Sequence, residues 1–245
     1  MTDGGYNRFL ENLDAPQLGV SVTKSGWKGF DDVTATAGIS QTDAQYVSWG
    51  SGAYDFDNDG ELDILVFHGG LIQLIPMEHT LFRGLGNGKF QDDSLHAGQV
   101  LNQRTVARGA CFADYQNNGK VGAFLVNLGA GGKLVQNVST GTGHWIDVRL
   151  VGAMRTGDRG GVPGSGAKSN RDGIGARVEV LSGGRRWTSE RVASSGYLSQ
   201  NDDRLHFGLG AATVIDKLTV RWPGGRVQTL ENVDVDRVLT VEEPR

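Results

Sequence analysis

Trp49-Gly50-Ser51-Gly52-Ala53-Tyr54-Asp55 and Arg108-Gly109-Ala110-Cys111-Phe112-Ala113-Asp114 are two versions of one phrase. The first leads into an oxygen-rich loop, Asp55-Phe56-Asp57-Asn58-Asp59-Gly60-Glu61-Leu62-Asp63, and then an apolar run, Ile64-Leu65-Val66-Phe67. The second leads into Asp114-Tyr115-Gln116-Asn117-Asn118-Gly119-Lys120-Val121-Gly122 and then Ala123-Phe124-Leu125-Val126. Further out, Phe30-Asp31-Asp32 with Ala37-Gly38 returns as Phe90-Gln91-Asp92 with Ala97-Gly98, and Leu81-Phe82-Arg83 has a weaker echo in Leu134-Val135-Gln136-Asn137. Two units of about sixty residues therefore fill roughly positions 20–140. Each reads strand, acidic loop, buried strand, turn, strand, a length and texture that suit one propeller blade.

Composition agrees. The 245 residues include 38 glycines, which oppose long helices and suit a turn-dense all-β chain. A 38% apolar and 21% charged content supports a folded core. The net charge of −4 gives no general affinity for nucleic acid or an anionic membrane. A lone cysteine, Cys111, excludes an internal disulfide framework and a cysteine-rich zinc site, and its strand makes it inert core. There is no run of 18 apolar residues to span a membrane. The first residues lack the basic and then apolar pattern of a secretory leader. The expected location is cytoplasmic if Met1 is the native start, and secreted or periplasmic if a leader has been removed.

Three segments are expected: 1–24, with a short helix placing Phe9, Leu10 and Leu13 on one turn; the repeats, 25–142; and a β-domain, 143–245. In the last, Trp145–Leu150 and Arg177–Leu181 alternate apolar and polar as half-buried strands do. Ser182-Gly183-Gly184-Arg185 reads as a hairpin turn, with Arg186–Val192 returning. Leu205–Phe207, Lys217–Arg221 and Val238–Val241 are further strands, and Pro223-Gly224-Gly225 is a turn. The pattern predicts an antiparallel sandwich or barrel, interrupted by a long Gly-, Ser- and Arg-rich loop from Gly152 to Gly173.

The first loop carries oxygen side chains at positions 1, 3, 5, 7 and 9 and glycine at 6. Calcium is a hard cation that takes six to eight oxygens, so Asp55, Asp57, Asp59, Glu61 and Asp63 are the expected metal ligands. Val66 stands where an EF-hand needs its bidentate glutamate, so the loop is not an EF-hand. The second loop has lost most of these carboxylates and gained Lys120. It is expected to keep the turn without the ion.

The repeats resemble FG-GAP/VCBS calcium-binding propeller repeats. The C-terminal part resembles the ASPIC/UnbV domain of the cartilage-acidic-protein family. This second likeness is carried by Asn170–Val178, Ser195–Asp202, His206–Gly210, Val220–Gly225 and the His144-Trp145 junction. Members of that family generally have more repeats and a secretion signal. Two blades cannot close a propeller, so their open edges are expected to be covered by the C-terminal domain or by a second subunit.

Signals for catalysis are sparse. No histidine lies in an HExxH pattern, and no serine lies in a nucleophile elbow. Gly164–Ser169 lacks the Gly-Lys-Ser order of a phosphate loop. His68, which follows the acidic loop and its buried strand, is a candidate acid or base reaching the same mouth as Asp63. Asp172, Arg177, Tyr197, Gln200, Asp202 and His206, with Arg171, are candidates for a convergent pocket. Asn137-Val138-Ser139 is a glycosylation sequon. Two readings stay open. One is a calcium-binding module for a protein, glycan or small-molecule ligand. The other is a calcium-dependent, non-redox cyclase, isomerase or lyase acting on a small hydrophobic metabolite in a cleft between the repeats and the C-terminal domain.

Overall fold

A computed structural model describes residues 10–12, 30–39, 46–72, 74–154 and 168–244. The described residues are all-β apart from one four-residue helix, α1 (Gln99–Asn102). Leu10–Asn12 is strand β1, paired antiparallel with β2 (Phe30–Asp32), and not the helix expected there; Phe9 and Leu13 lie outside the described residues.

The first repeat forms a four-stranded antiparallel meander of β3 (Ser48–Tyr54), β4 (Asp63–His68), β5 (Thr80–Gly86) and β6 (Lys89–Asp92). The second forms a three-stranded one of β7 (Ala107–Ala113), β8 (Gly122–Asn127) and β9 (Lys133–Val135). The repeat survives in detail. Asp32 Oδ1 accepts from the Thr34 amide, and Asp92 Oδ1 accepts from the Ser94 amide, so each Phe-x-Asp ends in the same side-chain turn. Strands β3 and β7 approach closely because glycines stand at the contact. A Cβ on Gly50 would meet Ala110 at 2.7 Å, and one on Gly52 would meet the Phe112 ring at 2.6 Å. Phe67, Phe112 and Leu125 are fully buried between these sheets. Cys111 faces away from them and is only half-buried, a correction to its reading as core: alternation along β7 gives the inner face to Ala110 and Phe112.

The C-terminal part is a sandwich. One sheet has the order β13 (Leu205–Gly210), β10 (His144–Val151), β16 (Arg237–Glu242). The other has the order β12 (Arg185–Glu190), β11 (Arg177–Ser182), β14 (Val214–Arg221), β15 (Val227–Asp234). Alternate residues of both sheets, among them Ile146, Val148, Phe207, Val180, Leu218 and Trp222, fill one core. The hairpin at Gly183-Gly184 forms as read, with φ of 55° and 81°. Two features differ from expectation. β16 runs parallel to β10, so the domain is not wholly antiparallel, and the sheets close into no barrel. β15 carries little apolar alternation to mark it in the sequence, because only Leu230 and Val233 of its eight residues pack on the core. The centre of the long loop, 155–167, lies outside the described residues.

The outer face of β10 and β13 is the platform on which both repeat loops rest. Gly208 has no side chain because a Cβ would collide with Asp55 Oδ2. Gly143 is similarly crowded by the Asn58 carbonyl, and Gly119 of the second loop by the Trp145 ring. The C-terminal half also covers the free edge of β7: Phe112 N–H donates to Asn201 Oδ1 at 3.1 Å, and the Asp202 amide donates to the Phe112 carbonyl at 2.9 Å.

Candidate functional site

The first loop is built by its own backbone. Asn58 and Gly60 take left-handed φ of 58° and 94°, which turn the chain sharply between β3 and β4. Asp55 accepts from the Asp59 amide at 3.0 Å and the Gly60 amide at 2.7 Å. Asp63 accepts from the Phe56 amide at 3.0 Å and the Gly84 amide at 2.8 Å. Asp55, Asp57 and Asp63 bring carboxylate oxygens within 4.8 Å of one another. Asp55 and Asp63 are buried. Burial, with a smaller push from neighbouring carboxylates, raises Asp55 to about 8 and Asp63 to about 6, against the backbone N–H bonds that lower both. The donors are all oxygens, the chemistry that suits a hard divalent cation.

Two of the five expected ligands stand outside this group. Asp59 Oδ1 accepts from the Glu61 amide at 2.8 Å. Glu61 is drawn outward to Arg185 Nη2, 2.5 Å away. Arg185 also donates to the Gly60 carbonyl at 3.0 Å, and Trp187 Nε1 donates to that carbonyl at 2.9 Å. The second loop has the same turn, with Asn117 and Gly119 at φ of 55° and 78° and Asp114 accepting from the Gly119 amide at 2.7 Å. Two cationic side chains reach its neighbourhood. Lys120 Nζ donates to the Ser139 carbonyl, and Arg204 donates to the Asp114 carbonyl and Asn117 Oδ1, all within 2.6 Å. Each loop is thus clamped by one arginine of the C-terminal half.

Between the clamps runs a hydrogen-bonded chain. Asp147 and His206 are cross-strand neighbours on β10 and β13, and their side chains meet at 2.8 Å. His206 Nε2 faces Asn58 Oδ1 at 2.9 Å, and Asn58 Nδ2 donates to the Gly119 carbonyl at 2.9 Å. Arg204 reaches Asp147 Oδ2 at 3.4 Å and bonds Asp202. Burial of Asp202 acts the other way, but the Arg204 bonds hold it below the usual carboxylate range.

A cleft of about 580 Å³ opens beside this chain, between the first repeat and the C-terminal sandwich. Of the candidate pocket residues, Gln200, Asp202 and His206 line it; Arg171, Asp172, Arg177 and Tyr197 do not. Arg171 and Asp172 pair with each other at the surface. Arg177 is exposed, with its backbone opposite Arg221 and Glu190. Tyr197 packs its ring edge on Trp49, 4.9 Å between centroids. Two groups that sequence did not single out do line it: Tyr54, pushed up to about 12 by burial and by Asp202, and Arg191.

His68 is not at this mouth. It ends β4 while Asp63 begins it, about 17 Å away at strand rise. The ring is wholly buried between Ser48 Oγ at 3.1 Å and Thr80 Oγ1 at 3.0 Å, and burial together with His79 lowers it to about 3. The sequon is also occupied: Asn137 Nδ2, where a glycan would attach, donates to the Phe56 carbonyl at 2.7 Å.

Residues 166–245 match the family described as ASPIC and UnbV. Cartilage acidic protein 1 of Mus musculus is 26% identical over 256 residues, covering 99% of this chain and 36% of that protein. Cartilage acidic protein 1 of Xenopus tropicalis is 27% identical over 205 residues, covering 78% of this chain and 28% of that protein. The chain spans about a third of the length of the curated relatives it matches. Its last third is similar to ASPIC and UnbV, and the chain as a whole is similar to cartilage acidic protein 1.

Proposed function

We propose that this chain is a ligand- or partner-binding module with FG-GAP-like repeats, in which a calcium ion held by Asp55, Asp57 and Asp63 fixes the first repeat against the C-terminal sandwich. The observation that carries the reading is the convergence of three carboxylates whose cationic neighbour, Arg185, is bound to Glu61 instead. Asp55 and Asp63 are buried in positions that oppose their own ionisation, and a divalent cation removes that penalty. The role of the ion is structural. The second loop works without one, because Lys120 and Arg204 supply the positive charge.

The enzyme reading needs free acid and base groups in the cleft. His206 is held by Asp147 and Asn58, and Asp202 by Arg204, an arrangement that favours binding. Calorimetric melting with a chelator and then with added calcium tests the proposal. Saturation at a hundred times Kd is expected to stabilise the fold by about 2.7 kcal/mol. The response should vanish in Asp57→Asn. A melting curve indifferent to millimolar calcium overturns it.

A further inference from the structure

Arg191 follows β12 and lines the cleft, yet it is only 5% exposed. Its backbone is fixed, donating to the Ala176 carbonyl and accepting from the Gly175 amide. Its guanidinium is not satisfied. Nη1 donates to the Val192 carbonyl, Nε has no acceptor, and no carboxylate lies within ion-pair distance among the described residues. The other charged groups of the wall are accounted for: Asp202 and Arg204 hold each other, Asp55 belongs to the acidic loop, and Glu190 is exposed. The Asp172 carboxylate is near enough for the two charges to be felt, but the two do not pair. Arg191 is therefore a buried cation without a contact ion pair or full hydrogen bonding, a cost that a bound anion relieves. The wall of the cleft mixes polar residues, among them Thr188, Ser194 and Gln200, with an apolar part. Leu62 and Val192 stand 57% and 45% exposed, beside Ile64 and Trp187.

We propose that this cleft takes a small organic carboxylate with an apolar body, its head held by Arg191 and its body lying against Leu62, Ile64, Trp187 and Val192. The inference rests on reading the chain as a binding module but not on the calcium loop.

Titration calorimetry with hexanoate tests it, with hexanol and hexylammonium as the neutral and cationic counterparts. Hexanoate should bind at least about 10-fold more tightly than either, and Arg191→Met should weaken it about 10- to 100-fold, the worth of one charged hydrogen-bonding partner. Without ligand, Arg191→Met should melt no lower than the parent protein, because it removes a buried charge that has no contact ion pair. In the unmodified protein, the Arg191 Nε–H resonance should shift on adding hexanoate, a readout that needs no variant. Equal affinity for hexanol, an undiminished hexanoate affinity in Arg191→Met, or no binding at about 10 mM overturns the proposal. The calcium response is measured in a separate titration. Its loss beside intact hexanoate binding sinks the metal reading alone, and the converse sinks only the carboxylate site.

Discussion

Replacing Arg204 by methionine keeps the volume of the side chain and removes its charge. The guanidinium bonds Asp202, lies 3.4 Å from Asp147 Oδ2, and donates to the Asp114 carbonyl and Asn117 Oδ1 at 2.6 and 2.5 Å. Arg204 and Asp202 side chains are 14% and 17% exposed and Asp147 only 2%, so solvent cannot take over the lost partner. Breaking a buried pair from one side costs about 3–5 kcal/mol. In a chain of this length that lowers the melting temperature by roughly 6–20 °C. The assay is urea unfolding followed by tryptophan fluorescence. Adding Asp147→Asn removes one of the two carboxylates that lose Arg204 and should recover about 0.5–3 kcal/mol. The pH dependence supplies a second check. Because Arg204 holds Asp202 below its ordinary range, the stability from that pair is present above about pH 4 and lost as pH falls through the depressed value. Arg204→Met should flatten that acid limb. A single variant within about 1 kcal/mol of the parent would show that the clamp joins the two halves only in appearance.

Three further outcomes are expected. Asp55 and Asp63 are raised in the fold, so their contribution is complete below about pH 4. It is lost as pH climbs through about 6 and about 8. Chelated protein should therefore melt lower at pH 8 than at pH 5, and Asp55→Asn should remove much of the difference; a flat profile in the parent contradicts this. His68 and His79 are lowered to about 3 and about 4, mainly by burial, so their stabilisation is present above about pH 6.5 and declines towards those values. Their ring resonances should not titrate between about pH 7.5 and 5.5, and a midpoint near 6.5 in either would show that the ring is solvated. Gly208→Ala places a methyl against Asp55 and should cost about 1–3 kcal/mol while weakening any calcium response, whereas unchanged unfolding would mean that the loop does not rest on β13.

Local chemistry was legible from the sequence. The Gly183-Gly184 hairpin, the two turning loops and the alternating strands Trp145–Leu150 and Arg177–Leu181 need only neighbours to specify them. The site was legible only in part, because its groups find their partners across the fold. Glu61 leaves the carboxylate cluster for an arginine 124 residues away, and Arg204 reaches back 90 residues to the Asp114 carbonyl. His68 misled for a geometric reason: five steps in sequence keep a helical neighbour close but carry a strand residue to the far end of its sheet. The parallel pairing of β16 with β10 likewise depends on where the chain returns, which alternation of residue types does not encode.

The glycines at 119, 143 and 208 bear on more than close approach. In a ring of blades, each blade is located by the neighbours on either side. Here both loops have their own socket on one two-stranded template, and the backbone of Asp57 and Asn58 is plugged into it through Gly143 and Gly210. Their mutual angle is thus held from outside the repeats as well as by the direct contact of β3 with β7. A change in one socket has to be matched by the loop that sits in it, so the two halves are bound to vary together at these contacts even where their cores vary freely.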